Sequence, residues 1–206
     1  MPRSKPFLFA MSVIVLLTSF DTSFWTNSSN AAEAKAASNS SAKGLQAGDP
    51  LGAFRVIKVA GAVDDTIEPG DTLCYRCRYG SSPMVLVFAR KPSDGLVNLA
   101  KQLDQSLRKN SDEKLKGLVT FLGDEVPTLK EHAASLAGEL GETLLPIVVA
   151  EDSKTGPLEY QLSSSDAVTV IIAQDSQVVG TLVFSEDSID AKKVVDSIKA
   201  MLSEPN

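Results

Sequence analysis

Met84-Val85-Leu86-Val87-Phe88-Ala89 is an unbroken apolar run, and Lys91-Pro92-Ser93-Asp94 stands one residue beyond it. A strand buried on both faces reads this way, because neither side of the ribbon meets water. Pro92-Ser93-Asp94 carries helix-start chemistry, and Leu96, Leu99, Ala100, Leu103 and Leu107 recur at helical spacing behind it. Downstream the pattern repeats. Leu115 to Leu122 predicts a strand, Thr128-Leu129-Lys130-Glu131 a capping box opening a helix that ends near Gly141, and Leu144 to Ala150 another strand. Ala167 to Ala173 and Gln177 to Phe184 read as two strands joined by Gln174-Asp175-Ser176, a hairpin-length link. Ile189, Val194, Val195, Ile198, Met201 and Leu202 mark one face of a closing helix. Upstream, Phe54 to Val59 suggests a strand, and Asp64 to Thr72 is turn-rich around Pro69-Gly70. Alternating strands and helices demand crossovers and a parallel sheet, to which the hairpin adds antiparallel strands. The expected class is α/β, with a mixed central sheet flanked by helices on both faces.

The chain has 206 residues, 43% of them hydrophobic, enough for one well-buried domain. Its formal net charge is -6, and no basic run offers phosphate contacts, which argues against a nucleic-acid partner. Arg76 and Arg78, with Arg90 and Lys91, are the local basic exception. Two cysteines and one histidine leave little room for a Cys/His metal site. At the start, Arg3 and Lys5 precede Phe7 to Phe20, an apolar run broken only by Ser12, Thr18 and Ser19. This is the form of a secretory signal, too short to span a bilayer comfortably. Ala32-Glu33-Ala34 has the small-x-small form of a cleavage site, and no cysteine follows the run to take a lipid. The expected organisation is a signal peptide over 1–34, a flexible Ser/Ala-rich linker over 35–47, and a single domain over 48–206. A periplasmic or secreted protein with no stable membrane anchor after cleavage follows from it.

Gly48-Asp49-Pro50, Met84 to Arg90, Pro146 to Asp152 and Thr169 to Asp175 together resemble the peroxiredoxin and alkyl hydroperoxide reductase branch of the thioredoxin superfamily. The resemblance covers roughly residues 47–202 and implies a thioredoxin-like fold. It also implies where chemistry would sit. The family's reactive cysteine follows the strand here formed by Met84 to Arg90, where this chain has Lys91-Pro92-Ser93-Asp94. Thioredoxins carry a proline before the strand matching Ala167 to Ala173, where this chain has Ser165-Asp166-Ala167-Val168. The expectation is therefore no peroxidase; an enzyme on this frame would be a thiol–disulfide oxidoreductase. Ser93 is expected to cap a helix rather than act as a nucleophile.

The remaining constellation is Cys74-Tyr75-Arg76-Cys77. Three readings stand: a structural disulfide, a dithiol that exchanges with a protein thiol or disulfide partner, or capture of a soft ion such as Cu(I), with His132 or Met84 as third ligand. Arg76 and Arg78 would favour a thiolate. Gly80-Ser81-Ser82-Pro83 forbids a helix that starts at Cys77 and runs on, so no helix N-terminus is expected to activate the pair. By analogy with other redox CxxC motifs, Cys74 is the expected attacking thiol. Tyr75 and Tyr79 are read as packing or recognition residues beside the pair, and Glu151-Asp152-Ser153 as a solvated loop. No cofactor is expected. The leading function is thiol–disulfide exchange through this displaced CxxC; the alternative is a non-catalytic binding or scaffold domain with a structural disulfide.

Overall fold

A computed structural model describes residues 44–203. The expected signal peptide and the linker up to residue 43 lie outside the described residues. In chain order the elements are β1 (Val56–Ala60), β2 (Thr72–Leu73), α1 (Tyr75–Tyr79), β3 (Met84–Ala89), α2 (Asp94–Lys109), β4 (Lys116–Phe121), α3 (Val126–Leu140), β5 (Ile147–Ala150), β6 (Val168–Gln174), β7 (Gln177–Phe184) and α4 (Ala191–Ser203). The strands form one sheet in the order β2-β1-β5-β4-β3-β6-β7. β3, β4 and β5 are parallel, while β1 and β6 flank them antiparallel. This is the expected α/β mixed sheet.

All six residues of β3 are buried, which explains its unbroken apolar run. The chain steps from β3 to β4 to β5 in one direction across the sheet. Right-handed crossovers that advance in one direction must lie on one face. Hence α2 and α3 share a face, α4 joins them, and all three cover the core built on Val85, Val87, Val119, Phe121 and Ile147. The opposite face is covered more thinly, by α1, a 3-10 turn at Leu158–Tyr160 and the segment containing Leu45, Leu51 and Phe54. Helices thus flank both faces, but unequally. Phe54, Phe88 and Tyr160 stack there with ring centroids 5.3–5.6 Å apart. Leu45, inside the segment expected as linker, is buried, and Thr181 donates to its carbonyl at 2.7 Å.

Several boundaries differ from the sequence expectation for local reasons. The capping box at Thr128 does not form. α3 opens three residues earlier, with Glu125 as N-cap and Pro127 in its first turn, where a fixed φ and a missing N–H cost nothing. β2 falls at the end of the stretch read only as turns; a two-residue strand carries no periodicity. The β6–β7 hairpin turns on Asp175 and Ser176, both with positive φ, the backbone twist that two-residue hairpin loops favour. Gly61 is required where it is. Its φ is +76°, and a Cβ there would sit 2.0 Å from the carbonyl oxygen of Leu145.

Candidate functional site

Thr72-Leu73 pairs with β1 at the sheet edge, and the chain then turns under the thinner face as α1. Cys74 is the N-cap: its backbone is extended, and its Sγ accepts the backbone N–H of Cys77 at 3.1 Å. Cys74 and Cys77 are joined as a disulfide with their Cα atoms 5.2 Å apart. The expectation that no helix N-terminus would be available to the pair needs correcting. A single turn does start at Cys74, and Gly80 ends it at φ +60° before Pro83 leads into β3. The breaker residues limit this helix to five residues; they do not prevent it.

The other side chains of this turn are tied down. Tyr75 is buried, and its hydroxyl donates a short hydrogen bond to the Asp65 carboxylate. Lys58 Nζ donates to the same carboxylate at 2.6 Å, and to the carbonyls of Ala62 and Ile67 at 3.1 and 2.8 Å. The Ile67 N–H completes the set at 2.9 Å. Burial raises the Asp65 pKa, but donation from Lys58, Tyr75 and Ile67 outweighs it, so the carboxyl lies below its ordinary range. Tyr75 is pushed well above the ordinary phenol value, by burial first and then by the Asp65 charge it donates to. Tyr79 moves the same way through burial, and its hydroxyl donates to the Gly117 carbonyl at 2.7 Å. Arg76 donates to Leu51 O and Arg78 to Asp65 O. What remains open is the disulfide: Cys74 is half-buried and Cys77 exposed. Cys77 is thus the more exposed residue of the two, while Cys74 is the one expected by analogy to attack.

Sequence reading missed Lys58 and Asp65. The available signal was a lysine sharing strand parity with Val56, hence pointing inward, where a buried ammonium needs a carboxylate.

The position where the resemblance places a reactive cysteine lies at the other end of β3. α1 leads into the strand at Met84, whereas residues 91–93 leave it after Ala89. There the Ser93 side chain accepts the Leu96 N–H at 3.2 Å, the helix cap expected for it. A cavity of about 200 Å³ persists beside it, lined by Lys91, Ser93, Ser165 and Asp166 among others, and holds no sulfur. Arg90 at its edge is spent on the carbonyls of Lys154 and Ser163.

The soft-metal reading gains no ligand set. Met84 is fully buried in the core, and the His132 ring packs on α3 near Phe121, centroids 6.1 Å apart, on the face opposite the cysteines. Among the described residues, no three His, Cys, Asp or Glu side chains are grouped to hold a metal ion. Glu151 pairs with Arg55 at 3.0 Å, and Ser153 receives the Gly123 N–H, so 151–153 is an anchored loop. No helix among the described residues is long and apolar enough to cross a membrane.

No protein-family model and no curated protein sequence matches the chain. Solved structures do. A protein from Chlorobium tepidum assigned as the thiol:disulfide interchange protein DsbE superposes with a TM-score of 0.55 at 14% identity, over 77% of this chain and 99% of its own. AhpC of Mycobacterium tuberculosis gives 0.56 at 14% identity, over 77% and 99%. A protein from Bacteroides thetaiotaomicron assigned as a disulfide isomerase gives 0.53 at 12% identity, over 78% and 92%. Identities this low speak to fold alone. The fold is thioredoxin-like.

Proposed function

We propose that this thioredoxin-like chain exchanges disulfides with a protein partner through Cys74 and Cys77. The observation that carries the reading is the disulfide's setting: an exposed residue, Cys77, bonded to a Cys74 sulfur that already accepts a backbone N–H. In the exchange, a partner thiolate attacks Cys77 Sγ and the intramolecular S–S bond breaks. Cys74 leaves as a thiolate, stabilised by the Cys77 N–H that points at it. A second partner thiol, giving up its proton to water, then attacks the partner sulfur of the mixed disulfide and releases Cys77 as thiolate. The partner ends oxidised by two electrons and this protein reduced by two. A stabilised leaving thiolate speeds such exchange.

A CxxC closes so short a loop that chain entropy predicts only a small stabilisation from it. The disulfide is therefore expected to have a potential in the range of exchange catalysts, about −120 to −270 mV. A potential below about −300 mV assigns it instead as a structural staple. That is the second reading, a non-catalytic binding or scaffold domain. It is favoured by one observation: Tyr75, Arg76, Arg78 and Tyr79 hold the turn in place by bonds of their own.

Export belongs to the same proposal. It rests on Arg3, Lys5 and the apolar run Phe7 to Phe20, and an oxidising compartment is where such a disulfide persists. Mass spectrometry of protein from its native source is expected to find a chain beginning near Lys35. An intact N-terminus in the cytoplasm excludes it.

A further inference from the structure

A cavity of about 500 Å³ opens beneath α1, at the end of the sheet where β4 and β5 begin. That volume suits a small organic ligand. α1 forms one wall through Tyr75, Arg78 and Tyr79, and Leu107, Leu115 and Leu144 supply apolar surface.

The polar groups are unequal in sign. Asp65 is answered by the buried ammonium of Lys58, and the Tyr75 and Tyr79 hydroxyls are spent on Asp65 and Gly117. Lys114, Lys116 and Arg78, which gives one N–H to the Asp65 carbonyl, stand against Asp64 alone. The ammonium groups of Lys114 and Lys116 have no hydrogen-bond or ion-pair partner among the described residues. A net positive mouth on a chain of net charge -6 is a local departure, and such a mouth concentrates anions. Backbone strain converges here too. Among the described residues six non-glycine residues have positive φ, and three of them, Ala62, Thr66 and Lys114, line this cavity. Strain of this kind clusters where a binding site holds the backbone.

We infer that this cavity binds a small organic anion, its carboxylate or phosphate between Lys114, Lys116 and Arg78 and its apolar body against the leucines beneath α1. The site is independent of whether the dithiol exchanges, since neither cysteine lines it.

The full domain, labelled for amide NMR, is titrated at low ionic strength with 3-phenylpropionate, with phenyl phosphate, and with benzyl alcohol as the uncharged control. At least one of the two anions is expected to saturate a single site at millimolar concentration or below. Shifts should be confined to residues 62–66, 75–79 and 111–117, with no response to the alcohol. The tighter of the two names the head group. Lys114→Glu with Lys116→Glu is expected to weaken binding about tenfold or more while the remaining spectrum and the disulfide's potential stay as they were. The inference is overturned if neither anion saturates, if the shifts map elsewhere, if the alcohol binds equally, or if charge reversal leaves the affinity unchanged. A failed potential measurement overturns the exchange reading and leaves this one standing.

Discussion

Asp65→Asn is expected to destabilise the protein by about 3 kcal/mol or more at neutral pH, because removing one partner of a buried ion pair leaves the other charge uncompensated. Lys58 is 3% exposed and keeps only neutral acceptors after the change, the Ala62 and Ile67 carbonyls and the new amide oxygen, with no counter-charge. The Asp65 side chain is 16% exposed, so the lower part of the usual range of about 3–5 kcal/mol applies. Against a total stability of about 5–15 kcal/mol, that is a large fraction. The pH dependence has a definite sign. Asp65 has a lowered pKa in the folded protein. Its contribution is present above the unfolded value of about 3.9 and is lost as pH falls through the lower folded value. The native protein should therefore weaken on acidification below about pH 4, and the Asn variant should lose less over the same window. Urea unfolding at pH 7 and pH 3 measures both. A loss under about 1 kcal/mol at pH 7 would mean that Lys58 reaches water when its partner goes.

The cysteine variants should show the largest functional effect. Exchange consumes and regenerates a two-sulfur bond, so Cys74→Ser and Cys77→Ser should each cut turnover of a reduced peptide dithiol at least about a hundredfold. They should differ in what they trap. Cys74→Ser keeps the cysteine at the exposed position and should accumulate a mixed disulfide with oxidised glutathione; Cys77→Ser keeps the one at the half-buried position and should accumulate about tenfold less in the same time, since access limits attack. Arg76 lies between the cysteines, so tryptic peptides separate them and locate any adduct in the native protein. Retained turnover in either variant removes the exchange reading. Faster trapping by Cys77→Ser restores Cys74 as the entry sulfur.

The frame was legible where burial writes itself into composition. Met84 to Ala89 is apolar throughout because both its faces are covered, and Leu96 to Leu107 recurs at helical spacing because α2 has one covered face. The hairpin was legible from its link length. β2 and α1 were not, because elements of two and five residues show no period. Their stability comes from distant residues: Thr72 and Leu73 from β1, and Tyr75 from Asp65, ten positions earlier in a stretch that reads only as turns. The start of α3 was misplaced because Thr128 and Glu131 satisfy a local pattern while Pro127 fixes the actual first turn. At the candidate site, the sequence supplied the cysteines and the absence of sulfur near Ser93. Which cysteine faces solvent depends on how a single helical turn lies on the sheet, and no spacing encodes that.

The one-sided placement of the three long helices carries a consequence for how the molecule opens. Amide exchange should divide it into two tiers. Strands β3 and β4, held under α2, α3 and α4, should release their protons only on global unfolding. The α1 segment, anchored mainly by one buried tyrosine and a few side-chain bonds, should open in a smaller, cheaper event. Reducing the disulfide would then lower the free energy of that local opening while the slow tier stays put. On the exchange reading, the cysteine turn then loosens, admits a partner chain and closes again without the rest of the domain taking part.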